Sequence, residues 1–94
     1  MSQNNENRRV EHLPEQSRFA LYIGDALAGY ADYTQVDGVR DFDHTVTEPE
    51  FRGQGVAGDV VRQALDATHA EGLKIGASCS YVAKFVADHP EYRN

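Results

Sequence analysis

The residues best suited to chemistry lie in one short stretch, Arg52 to Gly58, which reads RGQGVAG. Its glycines place no side chain in front of the backbone N–H groups, so a ligand can approach them closely. An apolar-periodic segment follows, so the stretch opens a helix whose first N–H groups lack partners and whose dipole is positive at this end. Arg52 can add a charge-assisted hydrogen bond at the rim. The spacing therefore predicts a cradle for the phosphate groups of a ligand.

Two familiar phosphate loops do not fit this stretch. A Walker A loop needs Lys and then Ser or Thr directly after its last glycine, and neither follows here. The glycines also spell G-x-G-x-x-G, but that dinucleotide fingerprint follows the first strand of a parallel β-α-β unit. Here several predicted strands come first, and the chain after Gly58 is too short for a doubly wound domain. A plain helix entry without a ligand remains the simplest alternative.

Two further side chains are candidates for group transfer. His44 lies in a predicted strand just before the loop, and the ordinary imidazole pKa of about 6.5 suits a general base at neutral pH. Cys79 is the only cysteine and precedes a predicted helix, whose N-terminus can lower a thiol pKa and favour the nucleophilic thiolate. Each also has a structural interpretation, namely a histidine packed on the sheet and a small buried thiol.

Other polar residues near the C-terminus are assigned structural roles. We expect Ser80 to be the N-cap of the second helix, Tyr81 to be a half-buried aromatic side chain and Lys84 to be an ordinary surface lysine. His89 and Tyr92 are expected to hold the C-terminal segment in place. No H-x₃-H or C-x₂-C pairing occurs, so no metal site is expected.

The elements that must position these residues indicate an α+β fold. Period-two alternation and the Asp37-Gly38 turn predict antiparallel strands over residues 19–23, 28–36 and 39–47, with a short strand over 10–13. In the 39–47 strand, the alternation places His44 on the same side as Phe42. A long helix is predicted from residue 56 to the stop at Gly72, then a strand over 73–78 and a short C-terminal helix before Pro90. The sheet is expected to be mixed and mainly antiparallel.

Length and charge bound the class of protein. The 94 residues allow one domain, expected over residues 10–94, behind a disordered tail of residues 1–9. The formal net charge is -6, and no basic patch is visible, so no nucleic acid is expected as a partner. An acidic surface favours a cationic partner such as an amine. Without an apolar leader or membrane span, a cytoplasmic protein away from membranes is expected, as a monomer or weak homodimer.

The loop resembles a known family. The segment EFRGQGVAGDVVRQAL is similar to the acyl-CoA-binding segment of the GNAT N-acetyltransferase superfamily, [QR]-x-x-G-x-[GA], with Arg52, Gly55 and Ala57 in its three fixed positions. The blocks DHTVTEPEFRGQGVA and CSYVAKFVADHPEY resemble the minimal, single-domain acetyltransferase-like branch. Thr47 departs from the Val of many relatives, and Glu48-Pro49 departs from their frequent Pro-Pro.

That resemblance implies a ligand and a site. Acetyl-CoA would lie in an opening between the strand before the loop and the strand after the helix. Backbone groups of Val46, Thr47 and Glu48 would face the pantetheine arm and the thioester. The residues that would hold the pyrophosphate are Arg52, Gly53, Gln54, Gly55, Val56, Ala57 and Gly58.

The implied activity is acetyl transfer from acetyl-CoA, as substrate, to an unidentified amine. His44 and Cys79 are the candidate catalytic residues, as general base and nucleophile. Direct attack by the amine and an acetyl-Cys79 intermediate both remain open. Two other functions also remain open, a CoA-responsive binding module without turnover and an acidic protein-interaction domain.

Overall fold

The computed structural model describes residues 7–94, which form a five-stranded sheet with two helices. The elements are β1 (Arg8–Leu13), β2 (Arg18–Ile23), β3 (Ala26–Val36), β4 (Val39–Thr47), α1 (Val56–Ala70), β5 (Lys74–Ala77) and α2 (Ser80–Asp88). Short 3₁₀ turns cover Pro14–Gln16, Pro49–Phe51 and Pro90–Tyr92. The strands lie side by side in sequence order, antiparallel except for the parallel pair of β4 and β5. The predicted α+β fold with a mixed, mainly antiparallel sheet is confirmed.

The first strand begins earlier than the sequence indicated. Residues 1–6 of the expected tail lie outside the described residues, whereas Arg8 and Arg9 belong to β1. Their ladder with β2 continues to the pair Arg8 and Ile23, and the Gly24 N–H donates to the Asn7 carbonyl at 2.9 Å. The polar side chains of this segment gave no strand pattern, but its backbone forms a strand because it pairs with β2.

Helix α1 buries one stripe of side chains against one face of the sheet. The buried residues of the stripe recur at helical spacing, as predicted: Val56, Val60, Val61, Ala64, Leu65 and Thr68. Phe19, Leu21, Ala31 and Phe42 form the sheet side of this core and are at most 2% exposed. Burial of this apolar surface holds helix and sheet together.

A bulge in β4 corrects the predicted faces of that strand. Phe42 lies opposite Tyr33, but the next β3 residue, Asp32, lies opposite His44, so β4 carries one extra residue. Phe42 stays in the core on the α1 side, while His44 turns to the opposite, exposed face with Asp32. The prediction that Phe42 and His44 share a face is therefore wrong, because period-two alternation fails across a bulge.

A close approach beneath the start of α1 depends on Gly29. A Cβ atom at this position would lie 2.7 Å from the Val46 carbonyl oxygen and 2.7 Å from Val56 Cγ1. The missing side chain thus lets β3, the end of β4 and the first residue of α1 meet at one point.

The other end of α1 is held by a buried cation. Arg40 is 2% exposed and makes a bidentate ion pair with Glu71 at 2.7 and 3.1 Å. Its guanidinium lies 4.8 Å from the centre of the Tyr33 ring, whose hydroxyl is 2.7 Å from His12 Nε2. Burial, and then the charge of Arg40, lower the pKa of His12.

The C-terminal segment folds back on the domain. The Tyr92 hydroxyl donates to Asp66 of α1 at 2.7 Å. The Asn94 side-chain amide accepts from the Ile75 N–H at 2.9 Å and donates to the Ile75 carbonyl at 2.7 Å. This segment therefore covers part of the outer edge of β5.

We expect Gly29→Ala to lower the free energy of unfolding by about 1–3 kcal/mol, because the new methyl group overpacks a backbone contact. Gly58→Ala is the control, since its Cβ would meet only the Tyr81 hydroxyl at 3.5 Å, an ordinary contact. Removing a helical glycine should leave stability unchanged or raise it by up to about 1 kcal/mol. Urea unfolding of both variants measures the difference, and equal stabilities would contradict the close approach.

Stability should fall as pH drops below the ordinary histidine pKa of 6.5, in part because of His12. The lowered pKa of His12 means that the unfolded chain binds a proton there before the folded protein does, so acid favours unfolding. His12→Gln should flatten the curve of unfolding free energy against pH between 6.5 and the folded-state pKa. Parallel curves for the variant and the parent protein would show that His12 does not contribute.

Candidate functional site

The sheet opens between β4 and β5. The parallel ladder runs only from Val39 opposite Lys74 to Phe42 opposite Ala77, and the Cys79 N–H then donates to the Phe42 carbonyl at 2.8 Å. Beyond this point the chain turns into α2, while β4 continues to Thr47. Within residues 7–94, the last part of β4 is paired with β3 alone. One backbone edge of β4 is thus left facing the opening.

Asp41 fixes the point at which the strands separate. Its carboxylate accepts the Ser78 N–H at 2.9 Å and the Ser78 hydroxyl at 2.6 Å. Gly76 makes room for this side chain, because a Cβ atom there would lie 2.9 Å from an Asp41 carboxylate oxygen. The carboxylate therefore holds the backbone just after the end of β5, where the ladder with β4 stops.

The glycine stretch forms a groove at the mouth of this opening. The groove has a volume of about 180 Å³. Its lining residues come from the end of β4, the loop and both helices: Thr47, Arg52, Gly53, Gly55, Val56, Ala57, Gly58 and Tyr81. Gly53 and Gly55 have left-handed φ angles of 80° and 73°, which other residues rarely adopt. Gly55 is the N-cap of α1 and no side chain caps that end, so the groove meets uncapped N–H groups and the positive end of the helix dipole.

An acidic side chain also lies in the first turn of α1. Burial raises the pKa of the Asp59 carboxyl, but hydrogen bonds from Gln63 and Arg8 and the charge of Arg62 outweigh it, so the pKa is lowered. The carboxylate lies 3.1 Å from an Arg8 nitrogen and 3.0 Å from an Arg62 nitrogen. Its charge is therefore offset within the protein.

Cys79 lies where β5 leads into α2. It is the N-cap of α2, whereas Ser80 is the first helical residue, so the N-cap prediction for Ser80 is wrong. The Cys79 sulfur lies 3.5 Å from Thr45 Oγ1 of β4. Burial raises the thiol pKa, but Thr45 and the backbone amides of Val82 and Tyr81 more than offset this effect, so the pKa is lowered. The result is a half-buried thiol with a pKa below its ordinary value, which raises its share of the nucleophilic thiolate.

His44 lies on the other side of β4. Its neighbour Thr45 is opposite the buried Ala31 and contacts Cys79, so alternation directs the His44 imidazole to the opposite face. There His44 is exposed, with its ring centre 6.5 Å from that of Tyr30. The two candidate catalytic residues therefore flank β4 from opposite faces.

The remaining predicted site residues surround the groove in different ways. Val46 and Glu48 lie at the end of β4, and the Glu48 N–H donates to the Ala28 carbonyl at 2.8 Å. Gln54 turns its carbonyl to Arg8 at 2.6 Å. The other residues predicted to hold the pyrophosphate line the groove together.

Sequence reasoning missed several residues of this region. Thr45 and Arg8 make their site contacts across long sequence separations, which no local pattern reveals. Tyr81, expected to be a half-buried aromatic side chain, is 42% exposed and also lines the groove. It also joins the groove to a larger one, of about 690 Å³, along the outer side of α2. The helical stop at Gly72 and the surface position of Lys84, which pairs with Asp88 at 2.9 Å, agree with expectation.

Neither a cluster of metal ligands nor a membrane-spanning helix occurs in residues 7–94. Among residues 7–94, no group of three or more His, Cys, Asp and Glu side chains is arranged to hold a metal ion. Over the same residues, no helix combines the length and apolar character needed to cross a membrane.

The chain is similar in sequence to known proteins. The sequence model of the GCN5-related N-acetyl-transferase family matches residues 18–94. Protein NATD1 of Xenopus tropicalis is 31% identical over 85 residues, covering 87% of this chain and 77% of the relative. Protein NATD1 of Gallus gallus is 36% identical over 84 residues, covering 87% of this chain and 76% of the relative.

A solved structure supports the same relationship. The solution structure of a GCN5-like protein from Staphylococcus aureus superposes with a TM-score of 0.68 at 26% identity, covering 89% of this chain and 82% of the other. The chain therefore belongs to the GCN5-related N-acetyltransferase family.

Proposed function

We propose that this domain binds acetyl-CoA in the opening between β4 and β5 and transfers its acetyl group to an amine. The observation that carries the proposal is the position of the uncapped N-terminus of α1, reached through two left-handed glycines, at the mouth of that opening. A pyrophosphate is the part of acetyl-CoA that such a helix end attracts. Membership of the family supports the same ligand.

The residues of the groove suit the two ends of this substrate. The first turn of α1 and the exposed Arg52 would bind the pyrophosphate through N–H groups and positive charge. The backbone edge of β4 that β5 leaves unpaired, near Val46 and Thr47, would pair with the amide groups of the pantetheine arm, as a peptide adds to a sheet edge. The backbone of Glu48 is already paired, with the Ala28 carbonyl and the Phe51 N–H. The thioester would then extend towards Thr45 and Cys79.

Cys79 suits a two-step transfer. Its thiolate would attack the acetyl carbonyl, forming a new C–S bond while the CoA thiolate leaves. The amine would then attack the acetyl-Cys79 thioester, form the amide and return the thiolate. The amine must lose a proton on the way, and the solvent can accept it. Thr45 would hold the sulfur in place and favour its ionised form.

His44 suits direct transfer. An amine that arrives from the exposed face of the sheet would meet its imidazole before it reaches β4. The imidazole would take the ammonium proton, and the amine would attack the thioester and expel the CoA thiolate. The second proton, which the nitrogen loses as the amide forms, would go to the CoA thiolate. The acidic surface of the chain would attract such a cationic acceptor.

A second candidate function is CoA binding without turnover. It is favoured by the placement of His44 and Cys79 on opposite faces of β4, because neither contacts the other in the way a base contacts its nucleophile. Both proposed functions use the same groove, and a measurement of acetyl transfer distinguishes them.

Acetyl-CoA should shift the backbone amide signals of residues 46–58 in an NMR titration. Ala57→Glu should weaken binding about tenfold or more, since it places a carboxylate in the groove against the pyrophosphate. Ala70→Glu makes the same change at the exposed far end of α1 and should bind as the parent does.

Two results would contradict this placement. Unchanged affinity of the Ala57→Glu variant would put the phosphates elsewhere. An absence of shifts in the parent protein at millimolar ligand would remove acetyl-CoA as the ligand and favour a protein-interaction domain.

Incubation with acetyl-CoA should add one acetyl group to the intact protein, and Cys79→Ala should abolish this mass gain. Thr45→Val should slow the acetylation, because it removes a group that lowers the thiol pKa. Both variants should keep the amide shifts of CoA binding. Release of free CoA with an amine present but no acetyl-protein would favour direct transfer, and binding with neither would favour the module without turnover.

A further inference from the structure

The N-terminal strand reaches the glycine loop through one side chain. Arg8 lies in β1, at the edge of the sheet and outside the 18–94 segment that matches the family. Its guanidinium donates to the Gln54 carbonyl at 2.6 Å and to the Asp59 carboxylate at 3.1 Å. One side chain from outside the family segment thus contacts both the loop and the first turn of α1.

The contact with Gln54 fixes one peptide group of the cradle. Gln54 lies between Gly53 and Gly55, which both have left-handed φ angles, and glycine is the residue that restricts the backbone least. A trans peptide is planar, so its N–H points opposite to its carbonyl. Holding the Gln54 carbonyl towards Arg8 therefore directs the Gly55 N–H away from Arg8. A hydrogen bond from a charged donor is stronger than a neutral one, which suits it to this task.

The contact between Arg8 and Asp59 offsets the negative charge of the Asp59 carboxylate. Asp59 is an acidic residue in the first turn of α1 and directly follows Gly58, which lines the groove. An uncompensated carboxylate there would repel a bound phosphate. Arg8, together with Arg62, offsets that charge.

We propose that Arg8 is a positioning residue for phosphate binding, which orients the peptide between Gln54 and Gly55 and neutralises Asp59 in the first turn of α1. This inference rests on the proposed binding of acetyl-CoA. It gives β1 a part in ligand binding that the family segment does not contain.

The test compares the full-length Arg8→Ala variant with Arg9→Ala. Arg9 lies on the same strand, but it contacts Glu11, the Gly24 carbonyl and the Tyr22 ring, away from the loop. Arg8→Ala should weaken acetyl-CoA binding about tenfold, the usual effect of losing a charged hydrogen bond. Arg9→Ala should bind within about twofold of the parent, as expected for an exposed side chain. Arg8→Lys should fall between them, because one ammonium keeps the charge but lacks the fork that spans two acceptors.

A second ligand separates positioning from general loss of structure. S-acetylpantetheine carries the thioester and the pantetheine arm but no pyrophosphate, so Arg8→Ala should leave its weak binding unchanged. Equal affinities of the Arg8→Ala and Arg9→Ala variants for acetyl-CoA would overturn the inference, and so would a parallel loss of S-acetylpantetheine binding. If the parent protein bound neither ligand, the proposed function would fail, and this inference with it.

Discussion

The parallel ladder between β4 and β5 stops after four residue pairs, and the candidate site depends on that stop. A strand that continues past its neighbour keeps backbone groups that need another partner. In this domain they face a groove where a helix begins without a cap. Asp41 makes the stop sharp by closing the end of β5 with its carboxylate. A longer β5 would fill the opening and leave a sheet with no place for a ligand.

Helix α1 is anchored to the sheet by charge at both ends. Near its C-terminus, the buried Arg40 pairs with Glu71, and at its N-terminus Arg8 pairs with Asp59. Between them, the apolar stripe packs over β2, β3 and β4, and Gly29 brings the first turn close to the sheet. The N–H groups at the start of α1 are therefore held in place before any ligand arrives. Preorganised donors of this kind bind an anion without the cost of first ordering a loop.

The sequence predicted the features that depend on local periodicity. The stripe of α1, the hairpin at Asp37-Gly38 and the helix stop at Gly72 follow from neighbouring residues, and the structure has them. The bulge in β4 could not be predicted from the β4 sequence alone, because it arises from the way β4 pairs with β3. The role of Arg8 was hidden for a similar reason, since its partners Gln54 and Asp59 lie far along the chain. Ser80 was predicted to be the N-cap of α2, but Cys79 takes that position, and the N–H of Cys79 is bound to the distant Phe42 carbonyl of β4.

The contact of Asn94 with Ile75 also protects the outer edge of β5 from pairing with another molecule. An outer strand with free N–H and C=O groups can recruit a strand from another molecule and start a growing assembly. Here the side-chain amide of Asn94 occupies both backbone groups of Ile75, in the middle of the short β5. The Asn94 amide thus makes the two hydrogen bonds that a residue of a sixth strand would make with Ile75, and the sheet ends there. In a crowded solution, this contact would help to keep neighbouring copies from joining edge to edge.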